Sequence, residues 1–115
     1  MPDRYFQLGT FCKNVLYHHE IPNIDDYKKV INVSADTVKN ILDKNKVDKL
    51  DLIHFDTEGY DFEILKTIEL KKYSPKVILI EYANLEKENR ILMLKLLRLN
   101  GYMVYRNNQD FISIH

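Results

Sequence analysis

Apolar residues in this chain gather in short runs separated by polar stretches, and the clearest runs lie in its second half. Residues 51–56 (DLIHFD) form the best-defined strand. Leu52, Ile53 and Phe55 are too continuous for a strand with one wet face, and such a run fits a parallel strand covered by helices on both sides. Thr57, Glu58 and Gly59 read as a tight turn. A helix is predicted over residues 60–70, with Phe62, Leu65 and Ile68 on one face and Asp61 and Glu63 complementing the dipole in its first turn. Residues 77–82 (VILIEY) read as a second buried strand. Residues 85–100 read as a long helix, with Asn100-Gly101 as a left-handed cap. Residues 102–106 and 110–114 follow as two strands of an antiparallel hairpin across Asn107, Asn108 and Gln109.

The first third is less patterned. Pro2, Gly9, Pro22 and Asn23 punctuate it, and its aromatic residues have no clear period. A short helix over residues 12–20 and a short strand over residues 30–33 fit the composition. Ser34 or Asp36 can then cap a helix carrying Val38, Ile41 and Leu42 on one face. Residues 1–34 therefore read as an irregular lead-in, and residues 35–115 as an α/β core. Strand, helix and strand over residues 51–82 span roughly thirty residues, the length of a βαβ unit.

At 115 residues, the chain is one domain at most. Lys plus Arg number 17 and Asp plus Glu number 17, which removes any electrostatic reason to propose nucleic acid or acidic lipid as a partner. Residues 91–99 are the richest apolar stretch, but Lys95 and Arg98 interrupt it well short of the roughly 20 residues of a membrane span. A single cysteine, Cys12, forbids an internal disulfide and suits a reducing cytoplasm.

Ligands of open α/β sheets bind beyond the carboxyl ends of the strands. Two acids sit at such ends, Asp56 after the first strand and Glu81 near the end of the second, and Glu58 follows on the turn. Adjacent strands lie about 4.8 Å apart, so these carboxylates can face one cleft. There they could accept a proton from a hydroxyl or bind a hard cation such as magnesium. Plainer roles compete: Asp56 accepting hydrogen bonds from the turn, Glu58 favouring the helix dipole, Glu81 ending a strand in solvent. His54, inside its strand, reads as a core histidine. His18, His19 and Glu20 do not share a helix face, and nothing completes a metal site with them. Lys71, Lys72 and Lys76 read as a solvated loop. The three glycines, Gly9, Gly59 and Gly101, stand far apart. The Gly-x-Gly loop that follows the first strand of nucleotide-binding sheets is therefore missing.

Residues 51–65 (DLIHFDTEGYDFEIL) closely resemble the signature of FkbM-type methyltransferases: a strand ending in Asp, then x-Glu-Gly, then an acidic helix start and Leu. Residues 33–42 are similar to the strand and helix before that signature. Ser74-Pro75-Lys76 with VILIEY resembles the following strand, Gly101-Tyr102 the opening of the last hairpin, and Leu8-Gly9-Thr10-Phe11 a loop after the third strand. The resemblance implies the C-terminal half of a Rossmann-like class I methyltransferase sheet, with parallel strands and a reversed final strand. It implies methyl transfer from S-adenosylmethionine to a hydroxyl of a sugar or other small molecule, with Asp56 and Glu58, and less directly Glu81, as catalytic acids. The strands and glycine loop that open the family's domain have no counterpart here. The chain is therefore expected to be a fragment that does not bind S-adenosylmethionine alone, to offer no assignable cofactor residues or metal ligands, and to self-associate through an exposed sheet edge. Two other readings stand beside this one. The first is a non-catalytic α/β interaction module. The second is a response-regulator receiver, which residues 51–56 also resemble, although Glu81-Tyr82 and Arg106 stand where a receiver has Ser or Thr and Lys.

Overall fold

The computed structural model describes residue 10 and residues 22–115. The elements run α1 (Ile24–Tyr27), α2 (Val38–Lys44), β1 (Leu52–Phe55), α3 (Asp61–Lys66), α4 (Leu70–Tyr73), β2 (Val77–Glu81), α5 (Lys87–Leu99), β3 (Met103–Asn107) and β4 (Asp110–Ile114). The expected helix over residues 12–20, the His18-His19-Glu20 run, Cys12, and Leu8, Gly9 and Phe11 lie outside the described residues.

One four-stranded sheet, in the order β1-β2-β4-β3, organises the fold. β1 and β2 pair in parallel, with Phe55 opposite Ile80. β4 pairs antiparallel with both β2 and β3. Three strands thus share one direction and the final strand is reversed between two of them. The mixed α/β class and the parallel pair joined through helices agree with the hydrophobic runs. The hairpin does too: Asn107 pairs with Asp110, and Asn108 takes a positive φ of 42° in the two-residue loop, as tight hairpin turns require.

Register places Ile53, Phe55, Ile78, Ile80, Phe111 and Ser113 on one face of the sheet. Apart from half-buried Ile53, these side chains are buried. Phe62, Leu65, Ile68, Leu70, Tyr73, Met93 and Leu97 from the helical segments pack against them, with Leu42, Tyr82, Leu85 and Tyr102 also buried in the core. The opposite face carries Leu52, His54, Leu79, Ile112, Met103 and Tyr105. Here the expectation of helices on both sides fails. Leu52 is 60% exposed, Met103 60% and Tyr105 52%. Strand pleating sends successive residues to opposite faces, and among the described residues only one face is packed by helices over most of its area. His54 is consequently exposed rather than a core histidine.

Local chemistry explains the other departures. Residues 30–33 are not a strand; Val30 is 84% exposed, and no described strand offers them a ladder. Neither Ser34 nor Asp36 caps α2. Thr37 does, its hydroxyl accepting from the Asn40 N–H at 3.1 Å. Asp36 instead pairs with Lys44 at 2.6 Å and accepts from the Thr37 N–H and the Asn40 side chain. The helix expected over residues 60–70 breaks in two at Thr67, the C-cap of α3, whose hydroxyl donates to the Ile64 carbonyl at 2.7 Å. A side chain bonding the preceding turn, followed by β-branched Ile68, disfavours continuing the helix.

The end of α5 follows the sequence reading closely. Gly101 has φ 89°, its N–H bonds the Arg98 carbonyl at 3.0 Å, and the Tyr102 N–H bonds the Leu97 carbonyl at 3.1 Å. That pair of bonds is a Schellman closure, satisfying carbonyls the helix leaves orphaned. It aims Tyr102 into the core, where its hydroxyl donates to the Pro75 carbonyl at 2.7 Å.

Candidate functional site

The strand β1 ends at Phe55 because the next residues turn. Glu58 has φ 51° and Gly59 φ 97°, and the Tyr60 N–H reaches back to the Thr57 carbonyl at 3.4 Å. Two successive positive φ values are cheap for glycine but cost a residue with a Cβ about 1–2 kcal/mol. The turn survives because Asp61 over-determines it. Its fully buried carboxylate accepts from the Thr57 N–H at 3.2 Å and the Gly59 N–H at 3.1 Å. Thr10 adds a contact from far away in sequence, its hydroxyl donating to the Glu58 carbonyl at 2.8 Å.

This turn brings the three expected acids to one end of the sheet. Asp56 follows Phe55, and Glu81 follows Ile80, its partner in register. Asp56 is exposed, and its carboxylate makes no hydrogen bond or ion pair among the described residues. Glu58 and Glu81 are half-buried and share a donor: the Asn84 amide nitrogen lies 3.2 Å from Glu58 Oε2 and 3.0 Å from Glu81 Oε2.

Burial pushes the Glu81 carboxyl above its ordinary value of 4.5, and the negative charge of Glu58 adds to this. The Asn84 hydrogen bond opposes the rise, while Asp61 and Asp56 reinforce it. A carboxylate that is desolvated and crowded by like charge binds a proton more readily than a free one. Such an arrangement can draw a proton from a hydroxyl placed among the three acids. Thr57 Oγ1, inside the turn, is buried with no hydrogen-bond partner among the described residues.

Two residues of this site escaped the sequence. Asp61 reads as a dipole-complementing residue in the first helical turn, and it is that, but its burial and its two backbone bonds depend on how the turn folds back. Asn84 carries no signal beyond standing three residues after Glu81. Among the described residues, no three His, Cys, Asp or Glu side chains are grouped to hold a metal ion. The described glycines stand singly, Gly59 in the β1–α3 turn and Gly101 after α5, and no described strand is followed by a glycine-rich loop opening a helix. No helix among the described residues is long and apolar enough to cross a membrane.

Comparison with known families adds one finding. A family model described as the methyltransferase FkbM domain matches residues 4–104. Searches of curated proteins and of solved structures returned no significant match.

Proposed function

Because this chain belongs to the methyltransferase FkbM domain family, we propose that it forms the acceptor side of a methyl-transfer site. Its chemistry is transfer from S-adenosylmethionine to a hydroxyl of a sugar or similar small molecule, in a reducing cytoplasm. The strand order with one reversed strand supports reading the sheet as the C-terminal half of a Rossmann-like class I methyltransferase. The observation that carries the functional reading is the Asn84 amide held between Glu58 and Glu81 at the carboxyl ends of two parallel strands.

In this reading Glu81 accepts the hydroxyl proton, and its raised pKa brings its basicity closer to the task. Glu58 tunes that basicity by its charge, Asn84 fixes both carboxylates, and Asp56 orients the acceptor from the open side. Asp61 positions the group by holding the turn. The cofactor's contacts come from residues outside this site, since the Gly-x-Gly loop that would cradle it is missing from the sequence.

The test is methylation of candidate hydroxyl acceptors by the protein that carries this domain, using labelled S-adenosylmethionine. Asp56→Asn, Glu58→Gln and Glu81→Gln are each expected to lower turnover by about 100-fold or more while folding survives. Near-parental turnover in all three variants overturns the reading. The 115-residue chain is expected to take up no S-adenosylmethionine in calorimetric titration. A dissociation constant in the micromolar range would show that the cofactor site lies within it.

A further inference from the structure

A second cleft, chemically opposite to the acidic one, lies where α5 crosses the hairpin. Arg90, Leu94 and Arg98 are spaced four apart and so form one stripe of the helix. Val104 and Arg106 point to the same face of β3, with Arg106 opposite Phe111 in register. Together with Tyr82 these residues line a cavity of about 310 Å³, at the small end of the range for ligand sites. Its floor is the stacked pair Tyr82 and Phe111, whose ring centroids are 4.3 Å apart.

Two of the three guanidinium groups are held in place, and none has a carboxylate partner among the described residues. Arg90 donates to the Leu85 carbonyl at 2.7 Å and the Ala83 carbonyl at 2.9 Å. Arg106 donates through Nε to the Tyr82 hydroxyl, which itself donates to the Asn108 carbonyl. Both cations lie over the Tyr82 ring, at 5.4 Å and 5.3 Å from its centroid. Arg98 is exposed at the mouth. No carboxylate lines the cavity, and no ion pair among the described residues involves any of the three arginines. Three arginines without a carboxylate partner among the described residues, gathered on one cavity, make a local concentration of positive charge in a molecule whose formal charges sum to zero, and such a concentration attracts an anion.

We propose that this cleft binds a phosphate-bearing small ligand, its oxyanions taken by Arg98, Arg106 and Arg90. Arginine forks match phosphate geometry in paired hydrogen bonds. The aromatic floor excludes water from one side of those bonds, which strengthens them. Arg90 and Arg106 spend donors on carbonyl and hydroxyl acceptors and keep others free, since each guanidinium has five. This inference stands on the cleft alone and is independent of the methyl-transfer reading.

Titration of the 115-residue chain with inorganic pyrophosphate at low ionic strength tests it, read by calorimetry and by tyrosine fluorescence. The expected result is saturable binding of one pyrophosphate per chain. Arg98→Gln should weaken it about tenfold, the equivalent of one charge-assisted hydrogen bond. The Arg98 guanidinium makes no hydrogen bond or ion pair among the described residues, so this variant should leave folding intact, checked by circular dichroism. Arg98→Lys should recover only part of the affinity, because lysine cannot offer the fork. The exposed pair Lys71→Gln and Lys72→Gln should change nothing. Absence of saturation, or equal weakening by the lysine substitutions, would mean charge attraction without a site and would overturn the proposal.

Discussion

Glu81 and Glu58 show how much of the candidate site is decided residue by residue. Glu81 has its carboxyl raised by burial and by Glu58, so the folded protein binds that proton more tightly than the unfolded chain does. The associated stability is fully present below the ordinary value of 4.5 and is lost as pH rises through the higher folded value. Glu81→Gln, which cannot ionise, is therefore expected to raise the melting temperature at about pH 7 and to leave it unchanged at about pH 3. Thermal unfolding across that range is the check, and a variant less stable at neutral pH would contradict the assignment. Glu58 has a backbone cost instead. Its φ of 51° carries about 1–2 kcal/mol of left-handed strain, against about 0.5–1 kcal/mol of chain entropy that glycine would add. Glu58→Gly should thus be at least as stable as the parent in denaturant titration, even though it removes a carboxylate from the site. A loss of stability would mean that the Asn84 bond to Glu58 outweighs the strain. Both acids were legible in the sequence because strand ends and turns in α/β folds are where chemistry collects. The strain was not, because the signature names a residue and not its φ.

Among the secondary-structure elements, the sequence was most informative where one pattern dominated. Strands β1, β2, β3 and β4 appear within a residue or two of their hydrophobic runs, and α5 ends where Asn100-Gly101 says it should. Competing local bonds blurred the rest. Thr67 divides the helix after β1 by bonding the Ile64 carbonyl, while residues 30–33 have strand-like composition and no partner. A strand is a property of two segments, and one segment's composition cannot report the absence of the other. The Gly101 closure offers a clean test. Its φ of 89° is strained for any residue with a Cβ, and a Cβ there would sit 3.2 Å from His115 Nε2. Gly101→Ala should lower stability by about 1–2 kcal/mol. His115 is exposed and its side chain can turn away, so the backbone strain sets the size of the loss. Denaturant unfolding that shows no change would mean the helix end relaxes to another closure.

The whole molecule has an asymmetry that follows from its topology. One face of the sheet is packed by helices over most of its area. The other leaves Leu52, Met103, Tyr105 and the 40% exposed Ile114 in contact with solvent. Both β1 and β3 are edges among the described residues, but they are unequal. The β3 edge carries Arg106 and Asn107, and charge on an edge discourages pairing. The β1 edge, Leu52-Ile53-His54-Phe55, carries no acid or lysine, and among the described residues its outer backbone has no ladder partner and adjoins the exposed apolar face. Unpaired ladder groups beside apolar surface are what a second strand completes. The occupant most accessible to a purified chain is another copy of itself, pairing β1 with β1 and covering Leu52 and Leu79 in the same step. The 115-residue chain is therefore expected to self-associate, with an apparent mass in size-exclusion chromatography with light scattering that rises with concentration. Leu52→Lys, which places a charge on the exposed position of that edge without touching the core, should shift the population toward monomer. Monomeric behaviour of the parent at high concentration would mean that the edge is covered within the chain. An association unaffected by Leu52→Lys would move the contact away from β1.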